Sequence, residues 1–420
     1  MQVYYGIKPI DYPNILKRPF AEDASVSANV RAIMGRVKLE GDSAVIDLTQ
    51  KYDGVKIDSL EVSSGAMSEA SARVSDNLKD AIARAIANIE QFHRAQIPGY
   101  IRVETQPGVD CMLRYYPLER VGLYIPGGTA PLISTVLMLA VPAKVAGCRE
   151  LIACTPPEPS AEIMYVCGIL GVRLFRAGGA QAIAAMAYGT ETIPRVDKLF
   201  GPGNRYVTEA KVQATSRGIP IDMPAGPSEV LVIADESSDP GFVAADLLSQ
   251  AEHGADSQVV LLSASKGLIE RVRGEIDTQL NRLPRKEIAQ MCLNNSVAIY
   301  VNSIDQAIDI SNYYAPEHLI LAVVNASEYI NRVRNAGSVF IGNYSPESAG
   351  DYASGTNHTL PTGGFARSWS GVTVQSFMKS ITFQQLSRQG LQSIAPSITA
   401  LARAEGLEAH ARAVEIRLNS

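Results

Sequence analysis

The sequence predicts an α/β protein built on two parallel sheets, with a short N-terminal arm and a helical C-terminal tail. Apolar runs of strand length at 121–125, 150–154, 172–175, 198–200 and 230–233 are separated by helix-like segments, the β-α alternation of a parallel sheet. Further runs at 259–262, 297–301 and 338–341 are too many strands for one mononucleotide-sized unit, so two α/β layers, each with its own sheet, are expected. Length agrees, because 420 residues allow two to four domains at roughly 100–200 residues each. With 46% apolar and 19% charged residues, and glycine and proline spread along the chain, disordered and collagen-like classes are excluded.

The elements follow in order. The first residues carry Lys8 and Asp11 where a secretory signal needs its apolar stretch, so export is not indicated. From about 25 to 91 the pattern is helical, punctuated by Gly41 and the Tyr52-Asp53-Gly54 turn. Alternation of strand and helix begins near Cys111. Residues 121–143 carry no charge and match a membrane span in length, yet Pro126, Gly127, Gly128, Pro131 and Pro142 interrupt them. A buried strand, a glycine turn and a helix use those breaks naturally, so no membrane partner is expected. Beyond Val374 the chain returns to a helical pattern, with neither a glycine turn nor a further strong strand.

Charge and cysteine content narrow the function classes. Forty-three acidic against 38 basic side chains give a net charge of -5, which provides no footprint for a polyanion, so no nucleic-acid partner is expected. The five cysteines (Cys111, Cys148, Cys154, Cys167, Cys292) are odd in number and none lies two residues from another. Neither a disulfide framework nor a thiolate zinc site is supported, and a reducing cytoplasm fits.

Three strand-to-helix junctions are rich in glycine: Pro126-Gly127-Gly128, Gly178-Gly179-Ala180-Gln181 and Gly201-Pro202-Gly203-Asn204. Glycine lets backbone amides approach a ligand and the helix N-terminus behind favours anions, so a dinucleotide could sit across them. None has full G-x-G-x-x-G spacing, and tight turns serving packing alone are the alternative.

Histidine is scarce, at five residues. His93 lies in a helical run beside Arg94 and reads as structural. In Ser249-Gln250-Ala251-Glu252-His253-Gly254, the three-residue gap puts Gln250 and His253 on one helix face, within reach of one ligand. The bland alternative is a helix C-terminus where His253 meets the dipole and Gly254 caps. Pro316-Glu317-His318 sets a carboxylate beside an imidazole, two proton acceptors near neutral pH. Strand neighbours face opposite ways, so a shared role needs a turn or helix start after Pro316, and otherwise an exposed loop is expected. The stretch from Asp351 to His358 is polar with few charges and reads as site-lining. Glu405 and His410, about 140° apart on an ideal helix, share a face only if the helix breaks at Gly406; otherwise they mark a solvated helix. Four histidines beside Gln, Asp or Glu are consistent with a nitrogen and oxygen metal site.

With these residues in view, the chain resembles histidinol dehydrogenase over nearly its whole length. Gly-Leu-Tyr-Ile-Pro-Gly-Gly at 122–128, Gly-Pro-Gly-Asn at 201–204 and Pro-Ala-Gly-Pro-Ser-Glu-Val at 224–230 stand in family order. Ser-Gln-Ala-Glu-His-Gly at 249–254, Pro-Glu-His-Leu at 316–319 and Ser-Ala-Gly-Asp-Tyr-Ala-Ser-Gly-Thr-Asn-His at 348–358 continue it. The resemblance implies the last step of histidine biosynthesis, oxidation of L-histidinol to L-histidine through an aldehyde, with two NAD reduced and a water consumed. It implies two incomplete Rossmann-like domains, 21–123 plus 229–373 and 124–228, after an arm at 1–20. The tail, 374–420, is expected to reach the partner subunit of an intertwined, cytoplasmic homodimer.

By the same resemblance Gln250, His253, Asp351 and His410 hold zinc, His410 coming from the other subunit. Those four residues, with Ser228, His318, His358 and Glu405, are the implied substrate contacts, and Tyr124, Gln181 and Asn204 the implied NAD contacts. His318 resembles the base that takes the alcohol proton as hydride leaves, and Glu317 the base that activates water for addition to the aldehyde. No cysteine lies in a matched site motif, so hydration to a gem-diol stands in place of a thioester. The rivals are a zinc hydrolase with a glutamate base, a dehydrogenase for another alcohol, and a nucleotide-sensing protein. Glu405 and His410, which suit an amine and an imidazole, weigh against the second. The paired Glu317 and His318 weigh against the third.

Overall fold

The computed structural model describes residues 1–19, 24–127, 132–224 and 226–419. Gly128, Pro131 and Ala225, expected in turns and motifs, and Phe20 at the end of the expected arm lie outside the described residues. In chain order the strands are β1 (Gln2–Tyr4), β2 (Ile101–Gln106), β3 (Val109–Pro117), β4 (Arg120–Tyr124), β5 (Glu150–Thr155), β6 (Arg173–Arg176) and β7 (Lys198–Phe200). They continue with β8 (Glu229–Ala234), β9 (Gln258–Ser263), β10 (Val297–Tyr300), β11 (His318–Ala322), β12 (Ser338–Ile341) and β13 (Met378–Leu386).

Two of the three sheets are wholly parallel, as the alternation requires. The smaller runs β6-β5-β4-β7 and the larger β1-β10-β9-β8-β11-β12. Every residue of β8 and of β9 is buried, because helices cover both faces of a parallel sheet and leave no face for polar alternation. Each sheet therefore separates two apolar cores, packed for example around Leu123 and Ile183 on the smaller sheet and around Leu261 and Leu319 on the larger.

The helical stretch resolves into Ala24–Glu40, Asp42–Asp53, Ser64–Ser71 and Asp76–Arg94, with Gly41 and Gly54 breaking it at positive φ. The charge-free run is β4 followed by the helix Ile133–Ala146, in which the residues from Ser134 to Ala143 are all buried. Burial in protein accounts for its composition, and among the described residues no helix is long and apolar enough to cross a membrane.

Four expectations need correction. The tail contains a strand, since β13 pairs antiparallel with β3 from Met378 opposite Pro117 to Leu386 opposite Val109. Seven consecutive residues of β13 are exposed, so no half-buried alternation betrays it; its pairing with β3 places it in the sheet. The tail also has a glycine turn, Gly406 at φ 73°, between the helices Arg388–Ala404 and Glu408–Asn419. The region around Cys111 is an antiparallel hairpin, β2 to β3, and not the start of β-α alternation. Finally, neither a turn nor a helix starts after Pro316: Ala315, at φ 54°, reverses the chain behind the helix Ile304–Tyr314, and β11 begins directly at His318.

Candidate active site

The carboxyl ends of the smaller sheet's strands face the amino ends of β8 and β11 across a cleft of about 1380 Å³. Pro126, Gly203 and Asn204 line one wall, and Ser228, Gln250, His253, Glu317, His318, Glu347, Asp351 and His358 the other. Six sequence motifs that are remote in the chain thus meet in one place.

Each side chain has a local cause. The helix Pro240–Ala251 starts on Asp239, whose carboxylate accepts from the Gly241 and Phe242 amides. It delivers Gln250, fully buried, and its last turn carries on to His253, whose N–H donates to Gln250 O at 3.2 Å, so the expected shared face is formed. Gly254 does not take a left-handed φ and does not cap this helix. A short helix, Glu347–Tyr352, puts Glu347 and Asp351 four residues apart on one face.

Glu317 and His318 share a role by a route other than a turn. Both grip the main chain of one residue on the neighbouring strand: the Glu317 carboxylate accepts from Glu229 N–H at 2.9 Å, and His318 Nδ1 lies 3.3 Å from Glu229 O. Their side chains consequently converge, with Nδ1 3.6 Å from Glu317 Oε2. Glu229 is itself fixed, since Arg18 pairs with its carboxylate through two nitrogens and Gly363 N–H donates to it at 2.8 Å. The N-terminal arm therefore braces the site through Arg18.

The surroundings of His318 decide its tautomer. Among the described residues, the one group within hydrogen-bond distance of Nδ1 is the Glu229 carbonyl, at 3.3 Å, which can only accept, so Nδ1 carries the proton and Nε2 the lone pair; Glu317 Oε2 and Glu347 Oε1 lie farther off, at 3.6 Å each. Nε2 makes no hydrogen bond to protein and lies 3.7 Å from Asp351 Oδ1. His358 repeats the pattern, donating from Nδ1 to Asp351 O at 3.0 Å.

Burial drives every resolved charge here toward neutrality. It lowers the pKa of His318 to about 3 and of His358 to about 4, and it lowers His253 as well. It raises Asp351 to about 7 and pushes Glu317 and Glu347 well above the ordinary carboxylate range. Three neutral imidazoles beside three carboxylates make a donor set suited to a divalent cation, which would favour the anionic form of each acid. Ligand atoms of His253, Glu347 and Asp351 lie within 4.8 Å of one another. Both amide atoms of buried Gln250 lack a hydrogen-bond partner beside them.

The expected cofactor residues are divided. Asn204 lines the cleft, and its Oδ1 caps the helix Arg205–Thr215. Tyr124 and Gln181 are buried at the Gly178-Gly179 junction, where the Tyr124 hydroxyl accepts from Gly179 N–H at 3.0 Å. At Gly201, φ is 117° and a Cβ would lie 2.2 Å from Tyr124 O, so only glycine fits. Glu405 and His410 are both exposed on the tail and are not brought into this chain's own cleft. His93 is structural, buried with Nδ1 2.7 Å from Ile89 O.

Sequence reasoning missed Glu347, Arg18 and Lys211, the last a buried ammonium paired with Asp222 and donating to Gly201 O at 2.8 Å behind the Gly201-Pro202-Gly203-Asn204 loop. Glu347 was accessible from its i, i+4 spacing to Asp351. Arg18 acts across 211 residues, which no local pattern encodes.

A sequence model of the histidinol dehydrogenase family matches residues 16–418. A histidinol dehydrogenase from Vibrio parahaemolyticus is 54% identical over 408 residues, covering 96% of this chain and 95% of that protein. One from Bacteroides thetaiotaomicron is 52% identical, with 99% of each chain covered. Among solved structures, the chain is similar to histidinol dehydrogenase from Elizabethkingia anophelis, with a TM-score of 0.97 and 50% identity over 100% of this chain and 98% of that one. A betaine aldehyde dehydrogenase point mutant from Staphylococcus aureus aligns with a TM-score of 0.52 at 13% identity, over 86% of this chain and 83% of that one, a likeness of fold alone.

Proposed function

The chain belongs to the histidinol dehydrogenase family and is an oxidoreductase that oxidises histidinol in histidine biosynthesis, and on that premise we propose that it carries L-histidinol through L-histidinaldehyde to L-histidine with zinc and NAD. The hydrolase and nucleotide-sensor alternatives fall with family membership. The observation that carries the mechanism is the joint grip of Glu317 and His318 on Glu229 at the wall of the cleft.

Gln250, His253 and Asp351, with the partner subunit's His410, would hold zinc, and their nitrogen and oxygen donors and the orphaned Gln250 amide fit that ion. Zinc, when bound, supplies a Lewis acid that anchors the substrate's imidazole and amine. Tyr124, Gln181 and Asn204 beside the glycine junctions would contact NAD, whose nicotinamide, when bound, accepts hydride; Asn204 lines the cleft at the head of the helix Arg205–Thr215, a place that suits such a ligand.

The chain's own groups then divide the proton work. His318 Nε2 takes the alcohol proton, and its Nδ1–H, held by Glu229 O, keeps the ring aimed at the cleft. Burial keeps the imidazole neutral before that step. Glu317 uses Oε1, the oxygen that Glu229 N–H does not hold, to draw a proton from the water adding to the aldehyde. Ser228 and His358 line the same cleft and would orient the substrate. The exposed positions of Glu405 and His410 favour delivery of the tail to a neighbouring subunit. We read the two parallel sheets as incomplete Rossmann-like domains, 21–123 plus 229–373 and 124–228, with an arm at 1–20 and a tail at 374–420. The assembly is an intertwined, cytoplasmic homodimer.

The test is absorbance at the NADH band with limiting L-histidinol, where two NAD reduced per substrate and no free aldehyde are expected. Glu317→Gln should slow turnover of histidinaldehyde more than oxidation of histidinol in single turnovers, because His318 still accepts the alcohol proton. A ratio of one with aldehyde in solution, or equal slowing of both steps, refutes the assignment.

A further inference from the structure

We infer that Arg18 and Glu229 are positioning residues for the reaction: their ion pair sets the one residue that aims both Glu317 and His318, so it governs both oxidation steps together. The inference rests on the roles proposed for Glu317 and His318 and extends them to two residues behind the cleft wall. Glu229 opens β8, one residue before Val230 meets His318 at the start of the β8–β11 ladder, so both side chains of the incoming strand can reach its main chain. Its N–H donates to the Glu317 carboxylate at 2.9 Å, and its C=O faces His318 Nδ1 at 3.3 Å. Any turn or shift of Glu229 therefore moves both proton-transfer groups at once.

What holds Glu229 is its own carboxylate. The residue is 2% exposed, behind Ser228, which lines the cleft, so it acts through its main chain and not on substrate. Arg18 donates to both carboxylate oxygens, from Nε to Oε1 and from Nη2 to Oε2 at 2.8 Å, and Gly363 N–H donates to Oε1 at 2.8 Å. A two-point fork fixes direction as well as distance. Arg18 is held in turn: Nη2 also donates to Tyr314 O at 2.8 Å, and the guanidinium lies 4.0 Å from the centre of the Tyr314 ring. The Tyr314 hydroxyl donates to Gln258 Oε1 at 2.9 Å, Gln258 Nε2 donates to Lys17 O at 3.0 Å, and Gln258 stands opposite Glu229 in the sheet. The contacts thus close on the residue where they began. From the other side Gly364, at φ 80°, approaches until a Cβ would be 3.2 Å from Arg18 Nη1, so the segment after His358 rests on the same guanidinium. Stability is a poor account of this pair, because charges withdrawn from water gain little over apolar groups of the same volume. Fixing the aim of two side chains through one main-chain anchor is what the fork supplies.

The experiment follows NADH formation in single turnovers of the full-length protein, with histidinol and with histidinaldehyde as separate substrates, and reads rate constant and amplitude apart. Glu229→Gln keeps the volume and removes the charge; it is expected to slow both substrates alike, by about 10- to 100-fold, with amplitude and KM held, because a misplacement of about 1 Å costs that much. Arg18→Lys, which keeps the charge and gives up the fork, should slow both as well and covers the case in which the glutamine variant does not fold. A merely structural role would lower the amplitude, which counts folded sites, and leave the rate constant of those that remain. Unchanged rate constants in a folded variant, or slowing of one substrate alone, overturn the inference. Wild-type rates in Glu317→Gln and His318→Ala would overturn the underlying roles instead.

Discussion

Lys211 should be worth more to this protein than any of its surface ion pairs, and the structure says by how much. Its ammonium is paired with Asp222, the two side chains being 2% and 1% exposed, and donates to Gly201 O at 2.8 Å. Asp222 in turn accepts from Gly201 N–H at 2.7 Å, so one ion pair holds both backbone polar groups of the glycine that opens the Gly201-Pro202-Gly203-Asn204 loop. Lys211→Met strands a buried carboxylate and leaves Gly201 O without its donor. Breaking such a pair costs about 3–5 kcal/mol, and the two N–H groups that Asp222 retains, from Gly201 and Met223, place the loss near the lower figure, about 3 kcal/mol. Urea unfolding followed by circular dichroism measures it. Adding Asp222→Asn should recover part of the loss, since no uncompensated charge then remains buried. NAD affinity should fall in Lys211→Met while zinc affinity holds, because the loop lies on the wall opposite the metal donors. A loss below about 1 kcal/mol, or a double variant no better than the single one, would show that the pair does not brace the loop.

The remaining predictions concern the tail and the core. Inactive His318→Ala and inactive His410→Ala, mixed and allowed to exchange subunits, should regain activity in about a quarter of all sites if each site takes His410 from its neighbour; verified heterodimers without activity would place His410 in its own subunit's site. Burial lowers the pKa of His93, so below its unfolded value of about 6.5 the unfolded chain binds a proton that the folded chain refuses. Stability is therefore lost as pH falls from about 6.5 toward the folded pKa, by at most about 1.4 kcal/mol per pH unit. His93→Gln should flatten that slope in urea titrations between pH 7 and pH 5, and an unchanged slope would assign the loss to other groups.

The parallel strands were legible because burial on both faces leaves continuous apolar runs, as in Glu-Val-Leu-Val-Ile-Ala of β8. β13 was not, since its exposed faces impose no pattern. β11 was obscured by its own chemistry: Pro316-Glu317-His318 attracts a reading as a loop, although Leu319 to Ala322 is a buried run. Within the site, Gln250 with His253 and the polar stretch from Asp351 to His358 were visible through helical spacing and composition. The partnership of Glu317 and His318 was visible as adjacency, but its means was hidden. It depends on Glu229, 88 residues earlier, whose backbone becomes the common anchor only once β8 and β11 lie side by side.

The order of the larger sheet also fixes the order in which it can be assembled. Gln2 of β1 pairs with Val297 of β10, so the first strand of this sheet to be made waits for the fourth of its six. At about 5–20 residues per second that interval is roughly 15–60 s. The smaller sheet, whose strands all lie between Arg120 and Arg176 or at Lys198–Phe200, is complete long before. During synthesis the N-terminal segment thus emerges as an unpaired edge beside an already folded unit. Its three-residue length limits what that edge can recruit from other nascent chains.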